Sequence, residues 1–270
     1  MPCVERPDGI ELRWEQRGEG PLVVLAPYWS MHPSVHRPIT EDLVTDHRVV
    51  RYDERGTGES TRAGPYDLDT ATADLAAVIE AADGPAVVVT TADGAHRGVR
   101  AAVDRPELVE AVVAVGGPPI GIDALAESDA MASSRTVVDA MLEMAETDYR
   151  SALRSLVTAT NPQMSEEQLR DRVRVQAEHS PAEAAVPRLR AWVEADSIEE
   201  ARAIGDRLWI LHWDAMGGGW FPTGRELESL IGEGLPEAHL LKTDDGMMSR
   251  PDQAAAVVRR ITTAVRAAGS

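Results

Sequence analysis

The chain has 270 residues, of which 43% are hydrophobic, enough for one α/β domain or a core with an inserted unit and too apolar for a disordered chain. Its formal net charge of −18 argues against nucleic acid and anionic membrane surfaces as partners, because both repel an acidic surface. One cysteine, Cys3, leaves no intramolecular disulfide, and with no histidine near it in sequence it is not read as a nucleophile. The start MPCVERPDG lacks the basic and apolar regions of a signal peptide, and no apolar run approaches the roughly 20 residues that span a bilayer, so the reading is cytoplasmic. In chain order, Gly9–Glu15 alternates apolar and polar residues, as an edge strand with one buried face does. Leu22–Ala26 is continuously apolar, as in a strand covered on both faces. Arg48–Tyr52, Ala86–Thr90 and Ala111–Val115 read as further strands, and Thr70–Ala82 has helical periodicity after a Thr/Asp-rich start. Strands and helices alternating at intervals of roughly 30 residues predict a doubly wound, mostly parallel sheet.

The pattern changes after Gly121. Residues 121–205 hold no strand-like run and read as helices around Ser134–Glu146, Thr147–Thr158 and Pro181–Glu194, with another opening at Ser165. Ser165 with Gln168 three residues on is a capping box. The β/α pattern resumes at Leu208–His212. The domain reading is a core of residues 1–120 and 206–270 with a helical cap over 121–205.

Several segments together resemble the α/β-hydrolase fold superfamily. The most specific is Asp53-Glu54-Arg55-Gly56-Thr57-Gly58-Glu59-Ser60, matching the family's D-x-R-G-x-G-x-S turn, whose glycines permit tight backbone bends. Gly64-Pro65-Tyr66-Asp67-Leu68, Ala73-Asp74-Leu75, Asp104-Arg105-Pro106-Glu107 and Arg250-Pro251-Asp252-Gln253 also fit. Ala26-Pro27-Tyr28-Trp29-Ser30-Met31-His32 is similar to the P-x-W-x-x-H loop of bacterial members related to those fused to regulators and cyclases. The resemblance implies an α/β-hydrolase fold with a helical cap, a nucleophile elbow and an oxyanion hole.

The chain departs from the family where the chemistry is done. The elbow motif G-x-S-x-G is replaced by Thr90-Thr91-Ala92-Asp93-Gly94. Family spacing puts Ala92, fourteen residues before Pro106, at the nucleophile position. A slip of one residue would put Asp93 there, as in haloalkane dehalogenases and epoxide hydrolases with their aspartate nucleophile. The family's histidine loop reads Lys242-Thr243-Asp244-Asp245-Gly246-Met247-Met248, with no imidazole to take a proton. The acid position after a strand is kept at Asp214, and the oxyanion His-Gly is Ala26-Pro27. Backbone N–H groups of Tyr28 and Asp93 are the expected oxyanion donors.

Asp93, Asp214, His32 and Asp245 are therefore the candidate catalytic groups, since crowded carboxylates raise one another's pKa towards a useful range. His96, one turn along the elbow helix, and His212, beside the acid, are further imidazoles near the site. Tyr28, Trp29, His96, Trp213, Met216, Trp220, Phe221 and Met247 are the candidate ligand contacts, because rings stack on rings and methionine adapts to irregular shapes. Met248 joins the same cluster, and Gly217-Gly218-Gly219 has no lysine or strand context of a phosphate loop. No metal and no cofactor is expected, because the histidines lack ligand spacing. The reading is a cofactor-independent enzyme on a large aromatic or polycyclic metabolite, by addition, elimination, cyclisation or C–C bond chemistry, in a natural-product setting. A ligand-binding protein without catalysis, and a hydrolase with Asp93 as nucleophile, are the alternatives. A small hydrophobic ligand is the expected partner, and a homodimer is left open.

Overall fold

The computed structural model describes residues 2–127, 134–213, 224–243 and 251–268. Eight strands form one sheet in the order β1-β2-β4-β3-β5-β6-β7-β8. β1 (Cys3–Glu5) and β2 (Glu11–Arg17) form a hairpin, and β2 runs antiparallel to β4 (Arg48–Tyr52). From there β3 (Leu22–Leu25), β5 (Ala86–Thr91), β6 (Val109–Val115), β7 (Leu208–His212) and β8 (His239–Lys242) are parallel to their neighbours. β2 is thus not the sheet edge that its alternation predicts. Three residues, Cys3–Glu5, pair outside it across a turn at Asp8-Gly9, and Gly9 takes the positive φ (+81°) that the turn needs. Cys3 is exposed on that outer strand.

The central strands show why the sheet is covered twice. In β3, Leu22 and Val24 join the core on one face, while Val23 and Leu25 join the core on the other. Alternate side chains of a continuously apolar strand thus fill two separate cores. α2 (Leu68–Ala81) and α3 (Gly94–Asp104) cover the first face; α1 (Arg37–Leu43) and α11 (Pro251–Ala268) cover the second. α3 sits close against β5 and β6 because residue 98 is glycine: a Cβ there would lie 2.9 Å from the Thr90 methyl and 3.0 Å from Val112.

Between β6 and β7 lie α4 (Ile122–Ala126), α5 (Ser134–Thr147), α6 (Tyr149–Thr160), α7 (Glu166–His179), α8 (Ala182–Val193) and α9 (Ile198–Ile204). The capping box opens α7 as its sequence predicts: Ser165 accepts from the Gln168 N–H, and Gln168 accepts from the Ser165 N–H. α5, α6, α7 and α8 pack in a chain on one another, whereas α9 packs on α3. α10 (Gly224–Gly234) precedes β8. Among the described residues no helix is long and apolar enough to cross a membrane.

Candidate active-site elbow

β5 ends at Thr91, and the next residue decides the register. Ala92 has φ +47°, while Asp93 has φ −55° and ψ −26° and already leads into α3. A non-glycine residue in the left-handed region costs roughly 1–2 kcal/mol. That strain marks the tip of the elbow, so the tip is Ala92 and not Asp93. The turn is packed from both sides. A Cβ on Gly117 would lie 3.0 Å from the Ala92 Cα, and one on Gly94 would lie 3.4 Å from the Pro27 carbonyl oxygen. Half-buried Ala92 therefore presents a methyl group where the resemblance puts a hydroxyl.

Asp93 faces the loop after β3. Its Oδ1 accepts from the Trp29 N–H at 2.8 Å, and its Oδ2 accepts from Arg97 at 2.7 Å. Arg97 also pairs with Glu54 of the β4 turn, and Glu54 lies 3.5 Å from Arg188 on α8. Arg188 donates to the Arg55 carbonyl and lies over the Tyr66 ring at 5.4 Å. Asp93, Arg97, Glu54 and Arg188 are all buried. Two acids and two guanidinium groups thus join the elbow, the β3 loop, the β4 turn and α8 in one charge-balanced chain. Burial pushes the Asp93 carboxyl up to about 7, against the pull of the Trp29 N–H and the Arg188 charge. The adjacent Arg97 guanidinium favours the charged form. With both oxygens engaged, by the Trp29 N–H and by Arg97, Asp93 is not presented as a nucleophile.

The Tyr28 N–H donates to no described residue, and the Asp93 N–H has only its own carboxylate beside it. Tyr28 is half-buried with its ring 5.9 Å from that of His36, and burial raises its hydroxyl pKa. Trp29 is not an open stacking face: it is 6% exposed. Its Nε1–H donates to the Ala185 carbonyl of α8 at 2.7 Å, and its ring meets Tyr149 edge-on at 6.2 Å. Next to it, Ser30 Oγ is 2.7 Å from the Tyr149 hydroxyl, which donates to the Ser180 carbonyl. The loop is therefore tied to the helices above it, and this binding uses the aromatic that the sequence offers as a ligand contact.

His32 is not brought to the elbow. Its Nδ1 caps the turn at Ser34, and its ring lies 4.8 Å from that of His179. It lines a cavity of about 330 Å³ with Trp14, Arg51, Asp53 and His179, which contains neither Ala92 nor Asp93. His96 is buried, with Nδ1 3.2 Å from Ser197 Oγ; burial lowers its pKa to about 4, so it stays neutral. It shares a small cleft with Asp93, Arg97 and Arg188. His212 is buried at the end of β7, 3.4 Å from Glu228. Trp213 is half-buried against both cores. Asp214, Met216, Gly217-Gly218-Gly219, Trp220, Phe221, Asp244, Asp245, Met247 and Met248 lie outside the described residues. Among the described residues no cluster of three or more His, Cys, Asp or Glu fits a metal ion.

The sequence reading missed Arg97, Glu54 and Arg188. Arg97 was within reach, since it stands one helical turn after Asp93. Glu54 and Arg188 meet only through the fold.

No family model matches the chain. A stretch of 114 residues is 34% identical to polyketide synthase ThaQ of Burkholderia thailandensis, covering 42% of this chain and 6% of that one. Another of 108 residues is 31% identical to the pimeloyl-[acyl-carrier protein] methyl ester esterase of Aliivibrio salmonicida, covering 40% of each. The matches thus span less than half the length of these curated relatives. Among solved structures, an esterase from Exiguobacterium antarcticum superposes over 98% of both chains with a TM-score of 0.78 at 17% identity.

Proposed function

The chain is a protein of the α/β-hydrolase fold with alanine at the elbow tip, and from that premise we propose that it is an enzyme working through the oxyanion donors without a covalent nucleophile. The observation that carries this is the strained elbow at Ala92, kept in place with its nucleophile gone. Such a turn aims the N–H groups of Tyr28 and Asp93 at one developing negative oxygen. An enolate or phenolate formed from a carbonyl-bearing, apolar metabolite is the oxyanion that needs no attacking side chain. Asp93, poised near neutrality, is the described group able to hold or move a proton, and Asp214 and Asp245 are its proposed partners. Addition, elimination, cyclisation and C–C bond formation or cleavage all pass through such an oxyanion. The stretch shared with a polyketide synthase agrees with a natural-product setting, and the esterase relatives supply the hydrolytic alternative.

A second reading is binding without turnover. It is favoured by the engagement of both Asp93 oxygens, by Trp29 and Arg97.

The test is α-proton exchange of aryl ketones in deuterated water, followed by NMR, beside hydrolysis of p-nitrophenyl butyrate. The expected outcome is saturable exchange that falls about tenfold or more in Asp93→Asn, with no ester hydrolysis above buffer. Saturable hydrolysis would return the chain to the hydrolases. Ketone binding with no exchange would leave the binding reading alone standing.

A further inference from the structure

Among the described residues Arg172 is a cation without a counterion. It lies on α7, half-buried, in a chain with 45 acidic residues against 27 basic ones. The other guanidinium groups around the elbow each have a carboxylate within ion-pair reach, although Arg97 and Arg188 also keep buried nitrogens without an acceptor: Arg97, Arg188, Arg55 and Arg51 are so paired. Arg172 makes no ion pair and no hydrogen bond to any described residue, and its Nε is shut off from solvent without an acceptor. Burying a charge even in part is costly unless something neutralises it.

The helix fixes where Arg172 faces. Gln176 and His179 follow it by four and seven residues and so share its face. That face is laid on the Tyr28–His32 loop: Gln176 Nε2 is 2.7 Å from Met31 Sδ, and the His179 ring is 4.8 Å from that of His32. The Arg172 charge accordingly bears on both the Tyr28 hydroxyl and the His32 imidazole, while Asp93 bears on Tyr28 from the elbow side. Arg172 and Asp93 thus act on the Tyr28 hydroxyl with opposite sign. That hydroxyl has no hydrogen-bond partner among the described residues. Gln176, fully buried, has its Oε1 unpartnered too.

A carboxylate matches this arrangement. A guanidinium edge donates two parallel hydrogen bonds to its oxygens, and a tyrosine hydroxyl supplies a third. A protein of charge −18 repels anions at long range, so an acid ligand needs a local cation to settle beside the elbow. We propose that Arg172 and the Tyr28 hydroxyl bind a carboxylate on the apolar small molecule that the elbow takes. The inference rests on the elbow as the ligand site, and it narrows the substrate class to carboxylic acids with a bulky apolar body.

The experiment compares 2-naphthoate with 2-naphthamide, neutral and of the same shape, by calorimetric titration of the full chain. In the native protein naphthoate is expected to bind about tenfold tighter or more, the scale of one charge-assisted pair. Arg172→Gln should bring the two affinities to within about twofold, Arg172→Lys should keep part of the preference, and Tyr28→Phe should weaken naphthoate alone by several-fold. Thermal melts of each variant confirm folding, and the lysine variant keeps the test valid if the glutamine variant unfolds. Equal binding of acid and amide by the native protein, or a preference unchanged in Arg172→Gln, overturns the site. The two readings fail separately. Arg172-dependent naphthoate binding with no proton exchange keeps this site and sinks the enzyme. Exchange on neutral ketones without any naphthoate preference does the reverse.

Discussion

At the elbow tip a single methyl group stands where the resemblance puts a hydroxyl. Ala92 keeps the backbone that a nucleophile would use, and the sequence offers no imidazole between Lys242 and Met248 to activate a hydroxyl placed there. Restoring the hydroxyl alone should therefore achieve little. Ala92→Ser is expected to show no burst with p-nitrophenyl butyrate and no labelling by a fluorophosphonate, with a rate within about tenfold of the native protein, because an unassisted serine is a weak nucleophile. A stoichiometric burst would reveal a base that the described residues do not supply. Ala92 was legible from its distance to Pro106. The strain that settles its register was not, since φ at one residue depends on how β5, Gly117 and the Pro27 carbonyl enclose the turn.

At the level of elements, the loop after β3 is the part whose role changed most. Its aromatics read as an open mouth, because in sequence they stand together between two elements. In the fold Trp29 is a tether: its indole N–H reaches the Ala185 carbonyl of α8, and Asp93 holds its backbone N–H. Trp29→Phe keeps an aromatic ring and removes the donor that ties the loop to the Ala185 carbonyl. A loss of about 1–3 kcal/mol in urea-induced unfolding is expected, with faster proteolysis between β6 and β7. An unchanged urea midpoint would show that the tether contributes nothing. α7 is the opposite case. Its capping box was plain in the sequence, because the signal is local and four residues long. That its far end faces His32, and that its middle carries an Arg172 with no ion pair among the described residues, follows only from packing.

Across the whole molecule, buried imidazoles tie stability to pH. Burial holds His36, His96 and His179 down to about 4 from an ordinary value of 6.5. Between those limits the unfolded chain binds protons that the folded chain refuses, so stability falls as pH drops from 6.5 towards 4. Asp93, raised to about 7, has the opposite sign over much of that range and offsets part of the loss. Three groups outweigh one, and the urea midpoint should decline steadily between pH 7 and pH 4.5. A flat profile would mean that the histidines are solvated. His36→Asn and His96→Asn should each flatten the decline, whatever their cost at pH 7.

The sequence by itself determined the doubly wound sheet and the helical stretch between β6 and β7, and it narrowed the elbow tip to Ala92 or Asp93. Each is written in short-range signals: continuous β-branched runs, a capping box, and a turn motif such as Asp53–Ser60, which folds on itself when Asp53 accepts the Glu59 N–H at 2.9 Å. Tertiary structure alone decided which charges neutralise which. Glu54 and Arg188 are far apart in sequence and meet under α8, whereas His32, drawn to the elbow by its loop, lies in another cavity. A charge is costly to bury singly, so its partner is whichever opposite charge the packing of distant helices brings within reach. No local pattern records that distance, and Arg172, which has no ion pair among the described residues, is where it matters most.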